Sequence, residues 1–273
     1  MKITDYPVIT KFTEDNILLV DGNGGTKTIM IEDAILSALH LASVTNHRLV
    51  VRGKNLGTMV TTEQLSAIQA GTFEGLWLGD YWVINGVNWR IVDFNYWLNS
   101  GDTKCTKNHL VIMPDKPLCD AAMNTTSNNT AGGYIGSEMY TKNLQPAKDA
   151  IVAAFGDAVI THRSIFCNAV TSGKPSSCAW CDSQADLPSE VMMYGHRMFG
   201  ARPDSGASDE TIDMVQLALF QANPRFINPQ TTAMWLRDVV SSSHFACTYG
   251  NGVATSSQAA TVIGVRPVFA IGG

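Results

Sequence analysis

The sequence has few charged residues and no hydrophobic run of membrane-spanning length. Only 16% of its 273 residues are charged, the formal net charge is −5, and no dense cluster of Lys and Arg occurs. A duplex-binding protein needs a positive stripe, so we expect no nucleic-acid partner. The apolar stretch at 34–44 is too short for a spanning helix and contains His40, so we expect no membrane insertion. Met1–Asp5 becomes polar too early for a secretory signal, which predicts synthesis in a cytoplasm.

The sequence also lacks the common catalytic motifs. None of its six histidines forms an H-x-x-x-H or H-E-x-x-H pattern, and no G-x-S-x-G nucleophile elbow occurs. Its acidic residues are scattered along the chain, and their spacing alone does not exclude the carboxylate pair of a glycosidase. Because no nucleophile, base or metal cluster passes a first test for an active site, we predict a protein that is not an enzyme and has no cofactor or metal.

Six cysteines are present, in a chain long enough to bury a core without disulfides. Cys178 and Cys181 have C-x-x-C spacing, but neither a second such pair nor paired histidines follow at zinc-ligand spacing. A thioredoxin-type site begins a helix after a strand, whereas Pro175 precedes this pair and Asp182 follows it. A structural role, a disulfide, and a metal or redox site all remain open for this pair.

Residues 1–47 are predicted to form a separate small unit. Ile17–Val20 is a short apolar strand, Asp21–Gly25 is a tight turn, and Thr26–Ile31 alternates as a second strand. Glu32 and Asp33 then begin a helix. This β-hairpin/helix unit contains too little core to stand alone, so we expect it to trimerise or to dock on something larger.

Residues 48–273 are predicted to form one α+β domain rich in irregular loops. The patterns predict a helix at Thr62–Ile68, a hairpin at Asn85-Gly86, a buried strand at Leu110–Met113 and a helix from Tyr140 to Phe155. Short apolar elements follow at Val191–Gly195, Leu217–Phe220, Met234–Arg237 and Val265–Ile271. Because long irregular stretches separate these elements, an alternating βαβ sheet is excluded. The stretches are 99–108, 120–137, 171–188 and 200–211.

The segment 241–263 has an unusual composition. It contains no Lys, Arg, Asp, Glu, Met, Trp or Pro, and it is rich in small polar residues with a few larger ones. It follows neither the helical nor the strand period, so we expect it to be largely loop. Binding loops on rigid scaffolds use this mixture of Tyr, Ser, Gly and Asn, although a plain Ser/Gly surface loop has the same composition.

Two arginines flank that segment beside large apolar residues. Arg237 follows Trp235-Leu236, and Arg266 follows Gly264-Val265. Buried guanidinium groups need carboxylates or carbonyls, and we expect Asp238 or Asp93 as possible sources. The favoured interpretation is an internal clamp that holds a loop-rich fold, and the alternative is direct contact with a ligand.

An ordered series of motifs resembles one known family. The C-terminal series resembles the variable region of diversity-generating retroelement target proteins of gut phages, and it consists of Trp235–Ser241, Phe245-Ala246, Gly250–Gly252 and Gly264–Ile271. The start and middle of the same phage domain resemble Trp82–Phe94, Asn108–Val111 and Thr130–Leu144. The similarity covers about residues 70–273. It implies a C-type-lectin-like fold related to formylglycine-generating enzymes, with variable side chains displayed on a fixed backbone.

In that family, template adenines become random bases, often at AAC codons, so a mutated asparagine codon yields only residues encoded by N-N-C. Those exclude Lys, Glu, Gln, Met and Trp, and within 241–263 only Gln258 departs from this rule. The resemblance implies a framework of Trp235, Phe245, Gly264, Arg266 and Pro267. It implies a displayed ligand-binding set of His244, Cys247, Thr248, Tyr249, Asn251, Val253, Thr255, Ser256, Ser257, Thr261, Val262 and Ile263.

The context of Cys178 and Cys181 does not match the copper-binding cysteine pair of some formylglycine-generating enzymes, so the resemblance transfers no enzymatic activity. Residues 1–47 resemble N-terminal segments of phage head-fibre and tail-fibre proteins, which implies attachment to other virion proteins as a homotrimer. We therefore expect a virion adhesion protein whose variable surface binds a bacterial or mucosal surface molecule. The alternatives are a structural head-decoration or fibre protein without a specific receptor, and an enzyme on a formylglycine-generating-enzyme-like fold.

Overall fold

The computed structural model describes residues 17–22, 25–30, 47–200 and 215–272. Strands β1 (Ile17–Gly22) and β2 (Gly25–Met30) form an antiparallel hairpin. The predicted N-terminal hairpin is therefore confirmed, while the helix expected from Glu32 lies outside the described residues. No helix in the described ranges is long and apolar enough to cross a membrane.

The first five-stranded sheet contains the strands that the sequence predicted most clearly. Its order is β3-β4-β5-β14-β9, and every pairing is antiparallel. The hairpin turn uses Asn85 and Gly86 at φ 53° and 77°, the left-handed pair that a tight type I′ turn requires. The strands are β3 (Tyr81–Ile84), β4 (Val87–Phe94), β5 (His109–Pro114), β9 (Ala185–Asp186) and β14 (Val268–Gly272).

The second five-stranded sheet has the order β12-β11-β10-β13-β6, with β10 and β13 parallel. The expectation that 241–263 is largely loop is wrong, since two of these strands fall inside it. Strand β11 pairs with β10 on one side and with β12 on the other. These backbone hydrogen bonds stabilise strands in a segment whose sequence has no strand period. The strands are β6 (Cys119–Ala121), β10 (Met234–Val239), β11 (His244–Thr248), β12 (Ala254–Gln258) and β13 (Ile263–Val265).

A long two-stranded hairpin forms the third sheet of the 47–272 part. Strand β7 (His162–Thr171) pairs with β8 (Lys174–Ser183) through a turn at Ser172 and Gly173, which have φ 51° and 75°. The prediction of an irregular stretch at 171–188 is wrong for this reason. The small and polar residues of β8 lack a strand period, but pairing with nine residues of β7 stabilises the strand conformation.

Four α-helices occur within residues 47–200 and 215–272. Helix α1 (Thr62–Ala70) begins with a capping box, in which Thr61 and Gln64 satisfy each other's backbone N–H groups. Helix α2 (Gln145–Phe155) follows a π-helical turn at Met139–Asn143 and ends at Gly156, close to the predicted range. The two short helices are α3 (Glu190–Tyr194) and α4 (Ala218–Ala222). Single 3₁₀ turns occur at Gly156–Ala158, Pro224–Phe226 and Gly250–Gly252.

Two hydrophobic clusters form the core. The helices and the mainly antiparallel sheets around them confirm the α+β class. The larger one lies around the first sheet, where Trp89 meets Phe269 edge-to-face with ring centroids 5.6 Å apart. The smaller one packs Trp235 and Phe245 of the second sheet against Phe166 and neighbouring residues. His47, assigned by the sequence to the N-terminal unit, is buried and stacks on Trp77 at 4.2 Å, so the core already includes this residue.

Candidate functional site

One end of the second sheet brings together the ends of several strands. Ala254 pairs with Thr248, Thr248 with Met234, and Met234 with Gly264, so these residues form one row across the sheet. Neighbouring strands lie about 4.8 Å apart, which places Thr248 and Gly264 roughly 10 Å from each other. The residues that directly precede or follow this row in the sequence therefore lie at the same end of the sheet.

Three large apolar side chains are exposed at this end of the sheet. The exposed fraction is 60% for Tyr249, 59% for Val253 and 64% for Val262. We call these three residues the apolar rim. Asn251, in the turn between Tyr249 and Val253, and Thr261, which precedes Val262 in the chain, are also exposed. Grouped apolar exposure with neutral polar neighbours is typical of a surface that binds a partner.

The other predicted ligand-binding residues divide into two groups. His244, Thr255, Ser256, Ser257 and Ile263 are half-buried and keep part of their surface in solvent. Cys247 and Thr248 are only 2% and 1% exposed, so their inclusion in the displayed set is corrected. Strand β11 lies between β10 and β12, and its side chains pack into the core on either side of the sheet.

The turn that carries the apolar rim has a constrained backbone. The N–H of Tyr249 donates to the carbonyl of Val253 at 2.7 Å, which closes the turn. Asn251 has φ 69°, in the left-handed region that Asn and Gly adopt most easily. A Cβ on Gly250 would lie 2.9 Å from the carbonyl oxygen of Thr231, so glycine is required there by close approach.

Arg266 is the buried clamp that the sequence predicted, although its partners are backbone carbonyls. Its Nε donates to the carbonyl of Pro114 at 2.6 Å, and its Nη1 donates to those of Phe226 and Ile227 at 3.1 and 2.8 Å. Burial lowers the pKa of this guanidinium to about 10. Neither Asp93 nor Asp238 supplies a hydrogen bond to Arg266 among the described residues.

Arg237 and the two proposed carboxylates have other partners. Arg237 lies over the ring of Phe166 at 4.9 Å and donates to a backbone carbonyl at 3.4 Å. Asp93 pairs with Arg48 at 2.6 Å. Asp238 accepts from the backbone N–H of Glu190 at 2.6 Å, and burial together with the Glu190 carboxylate raises the pKa of Asp238 to about 6. The buried-clamp interpretation fits Arg266, whereas Arg237 is half-buried and makes one hydrogen bond of 3.4 Å, to the carbonyl of Leu187. Neither Asp93 nor Asp238 forms the expected hydrogen bond with either arginine among the described residues.

Asn228 is a functional framework residue that sequence reasoning missed. Its side chain is buried, and Nδ2 lies 3.0 Å from Thr248 Oγ1, 2.9 Å from the carbonyl of Tyr249 and 2.9 Å from that of Thr232. It directly follows the segment that Arg266 holds. A continuous set of hydrogen bonds therefore runs from the Arg266 guanidinium to the turn that carries the apolar rim. No sequence pattern marked Asn228, because its role depends on contacts 20 residues away.

Two further sets of hydrogen bonds connect the second sheet to neighbouring parts of the chain. The indole of Trp235 donates to the carbonyl of Ala121 at 2.8 Å, which joins β10 to the edge strand β6. Asn128 donates to the side chain of Gln258 at 3.1 Å and accepts from the N–H of Ala260 at 2.9 Å. Gln258, the one residue that departs from the codon rule, thus holds a neighbouring loop.

The cysteines do not form a joint site. None of the six forms a disulfide. Cys178 and Cys181 both lie on β8, where their odd spacing directs them to opposite faces, opposite Cys167 and Ser164 respectively. Across the described ranges, no group of three or more His, Cys, Asp or Glu residues is arranged to hold a metal ion.

A separate cleft lies between the 96–100 loop and the β7–β8 hairpin. Trp97, Trp180, Arg163 and Arg237 are among its lining residues, and its volume is about 30 Å³. That volume is on the order of one water molecule, so this cleft does not accommodate an organic substrate. The end of the second sheet, with its exposed Tyr249, Val253 and Val262, is the candidate binding surface. No protein-family model, curated protein or solved structure matches this chain.

Proposed function

We propose that this protein is a virion adhesion protein of a gut phage, and that the end of its second sheet is a ligand-binding surface diversified by a retroelement. The observation that carries the proposal is the contrast at that end of the sheet. Tyr249, Val253 and Val262 are each about 60% exposed, while the residues directly beneath them are buried and hydrogen-bonded. Such a surface can change its side chains without changing its backbone.

The proposed fold is the C-type-lectin-like fold. In support of it, the motifs that carry the resemblance occupy framework positions. Trp235 and Phe245 are fully buried, Arg266 is 1% exposed, and Trp82–Phe94 forms the β3–β4 hairpin. A diversified protein needs constant residues at such buried positions, because side chains that vary cannot provide constant packing in the core.

The proposed ligand is a bacterial or mucosal surface molecule. The 241–263 segment carries no charge, so its contacts are apolar contacts of the rim and hydrogen bonds of Ser, Thr and Asn. Fully burying an aliphatic or aromatic side chain contributes on the order of 1.5–3 kcal/mol, which gives weak binding for one site. Trimerisation through residues 1–47, and many copies on a virion, would raise the apparent affinity. The proposal includes no catalytic activity, cofactor or nucleic acid.

Deep sequencing of the gene in a phage population tests the proposal. Substitutions are expected at the exposed and half-buried positions of the displayed set. A reverse transcriptase gene and a template repeat are expected close to the gene of this protein. They are expected to be rare at Trp235, Phe245, Cys247, Thr248 and Arg266, whose burial makes most changes destabilising. Uniform drift along the chain, without a template repeat, would favour the head-decoration alternative.

Capture of gut bacterial cells by the purified full-length protein tests the binding role directly. The variant combines Tyr249→Ser, Val253→Ser and Val262→Ser, and it is expected to reduce capture by more than about tenfold. The matched control places serine at Met59 and Val152, which are 66% and 54% exposed elsewhere on the molecule. Equal loss of capture in the control would show that general surface hydrophobicity, and not this surface, holds the cells.

A further inference from the structure

Most sheet edges of this protein are protected against pairing with another chain. The outer edge of β3 is covered, since Tyr81 and Val83 donate to the carbonyls of Lys54 and Gly57. The outer edge of β7 bonds to the 131–135 segment. Strand β9 has only two residues. Covering and shortness are two common ways in which proteins prevent edge-to-edge association.

Two more edges are blocked by their composition. Strand β6 has three residues, and its central Asp120 is exposed and charged. Strand β8 carries exposed Lys174 and Asp182, and its Pro175 lacks an N–H. Charge and proline on an edge disfavour the addition of a further strand. At the C-terminal end of β12, the carbonyl of Gln258 accepts from the N–H of Thr261 and the Gln258 side chain accepts from Asn128. Among the edges of these three sheets, Ala254–Ser256 of β12 is the part that no described residue covers and that carries neither charge nor proline.

The hydrogen-bond register shows which backbone groups of β12 face outward. Tyr249 donates to Val253, and Ala259 donates to Ser243, so the odd-numbered residues of this strand face β11. The N–H and C=O groups of Ala254, Ser256 and Gln258 consequently point away from the sheet. No hydrogen bond from the described residues reaches the backbone N–H or C=O of Ala254 or Ser256.

We propose that β12 is a docking edge for an extended polypeptide segment of the ligand, which pairs with Ala254 and Ser256 as an added strand. The outward donors and acceptors repeat every two residues, about 6.8 Å, and this repeat matches the backbone of another strand. The edge is also continuous with the apolar rim, because Val253 immediately precedes β12 and Tyr249 pairs with Val253. This inference rests on the proposed function and specifies its ligand class as a protein.

Such a docking mode suits a surface whose side chains change. Backbone hydrogen bonds to Ala254 and Ser256 are the same for every variant of the segment, so they give a constant part of the affinity. Side chains at Tyr249, Val253 and Thr255 then discriminate between ligand sequences. The strand carries no Lys, Arg, Asp, Glu or Pro, so no charge or missing donor opposes pairing.

The experiment selects binders from a displayed library of random 12-residue linear peptides against the full-length protein. Affinities of the enriched peptides are then measured for the wild type and for Ser256→Pro. The Ser256 N–H faces outward, so proline removes the docking donor without removing a bond to β11. We expect the Kd to rise at least about tenfold, which is the effect of losing a well-formed hydrogen bond and its neighbour. Ser256→Ala loses the same hydroxyl but keeps the N–H, so it is the reference for the proline variant, and the Kd for Ser256→Pro is expected to be at least about tenfold higher than that for Ser256→Ala.

A second measurement leaves the protein unaltered. N-methylation of alternate amides in an enriched peptide is expected to abolish binding in one register and to preserve it in the other, because only alternate amides of an added strand face β12. This result does not depend on whether the proline variant folds.

Three results would overturn the inference. Peptides that lose binding with Tyr249→Ser but tolerate both Ser256→Pro and N-methylation would retain the proposed function and remove the docking edge. Failure to enrich any peptide would also remove it, and sequencing of the gene would still decide the proposed function. A concentration-dependent dimer that Ser256→Pro abolishes would assign the edge to a second copy of this chain.

Discussion

The side-chain amide of Asn228 lies 3.0 Å from the hydroxyl of Thr248, and both residues are almost completely buried. The same amide nitrogen lies 2.9 Å from the carbonyl of Tyr249, the first residue of the exposed turn. A buried side chain outside the 241–263 segment therefore helps to fix where that segment leaves the sheet after Thr248. The position of Tyr249 in the apolar rim thus depends on a residue that is only 3% exposed.

Replacing Asn228 with alanine is expected to destabilise the protein by about 1–3 kcal/mol. The change removes the donor to the buried Thr248 hydroxyl and to the Thr232 carbonyl, while the Tyr249 carbonyl keeps the N–H of Gly252. Unsatisfied buried polar groups carry a cost of that size. Urea denaturation measures the effect. Asn168 is exposed, so Asn168→Ala is the matched control and is expected to change the free energy of unfolding by less than about 0.5 kcal/mol. Equal effects of the two variants would contradict the bracing role of Asn228.

Amide hydrogen exchange is expected to alternate along β12. The N–H groups of Thr255 and Ser257 face β11 and should exchange slowly, whereas those of Ala254 and Ser256 face outward and should exchange fast. NMR-detected exchange of the free protein resolves the four amides. Slow exchange at all four positions would show that another part of the chain or a second copy already covers the edge.

Position 251 is expected to accept few of the residues that N-N-C codons encode. Asn251 has φ 69°, and in this region a β-branched residue is strained by about 1–2 kcal/mol, whereas Gly is not. Asn251→Val should therefore lower the free energy of unfolding, and Asn251→Gly should leave it nearly unchanged. Thermal and urea denaturation of the two variants compare them directly. The same order is expected in the gene population, with Asn, Asp and Gly enriched at this position.

The pH dependence of stability is expected to reveal the buried carboxyl group of Asp186. Burial raises its pKa to about 6, and its Oδ2 has no hydrogen-bond partner among the described residues. A raised folded-state pKa means that the native state binds the proton more tightly, so stability from this group is lost as the pH rises from about 4 to about 6. Asp186→Asn removes that loss, and its stability relative to the wild type should increase across this window by up to about 3 kcal/mol.

Asp102→Asn is the control for that experiment, because its pKa is shifted in the other direction. Hydrogen bonds from Arg163 lower the pKa of the exposed Asp102. Its stabilising contribution is present above the ordinary pKa of an aspartate and is lost as the pH falls. The stability difference between Asp102→Asn and the wild type should therefore change in the opposite sense with pH. A flat difference for Asp186→Asn between pH 4 and 6 would contradict the raised pKa.

Local signals in the sequence predicted the elements that local chemistry determines. Asn85-Gly86 predicted its hairpin because the turn itself requires left-handed residues, and Thr61 with Gln64 caps the helix at its predicted start. The patterns failed at β8, β11 and β12, where the partner strand and not the local sequence provides the strand conformation. For the candidate site, composition located the segment but not its orientation. The resemblance implies Cys247 and Thr248 in the displayed set, but β11 pairs with β10 and β12, and both side chains are buried.

The three carbonyls that receive the hydrogen bonds of Arg266 belong to the main chain. A carbonyl remains an acceptor whatever amino acid occupies its position, so mutations at Pro114, Phe226 or Ile227 do not delete a partner of this clamp. Under the proposed diversification of 241–263 this clamp would stay intact, because neither Arg266 nor any of its three acceptors belongs to that segment. Variants of the segment would then differ in their exposed side chains while they inherit the same internal anchor.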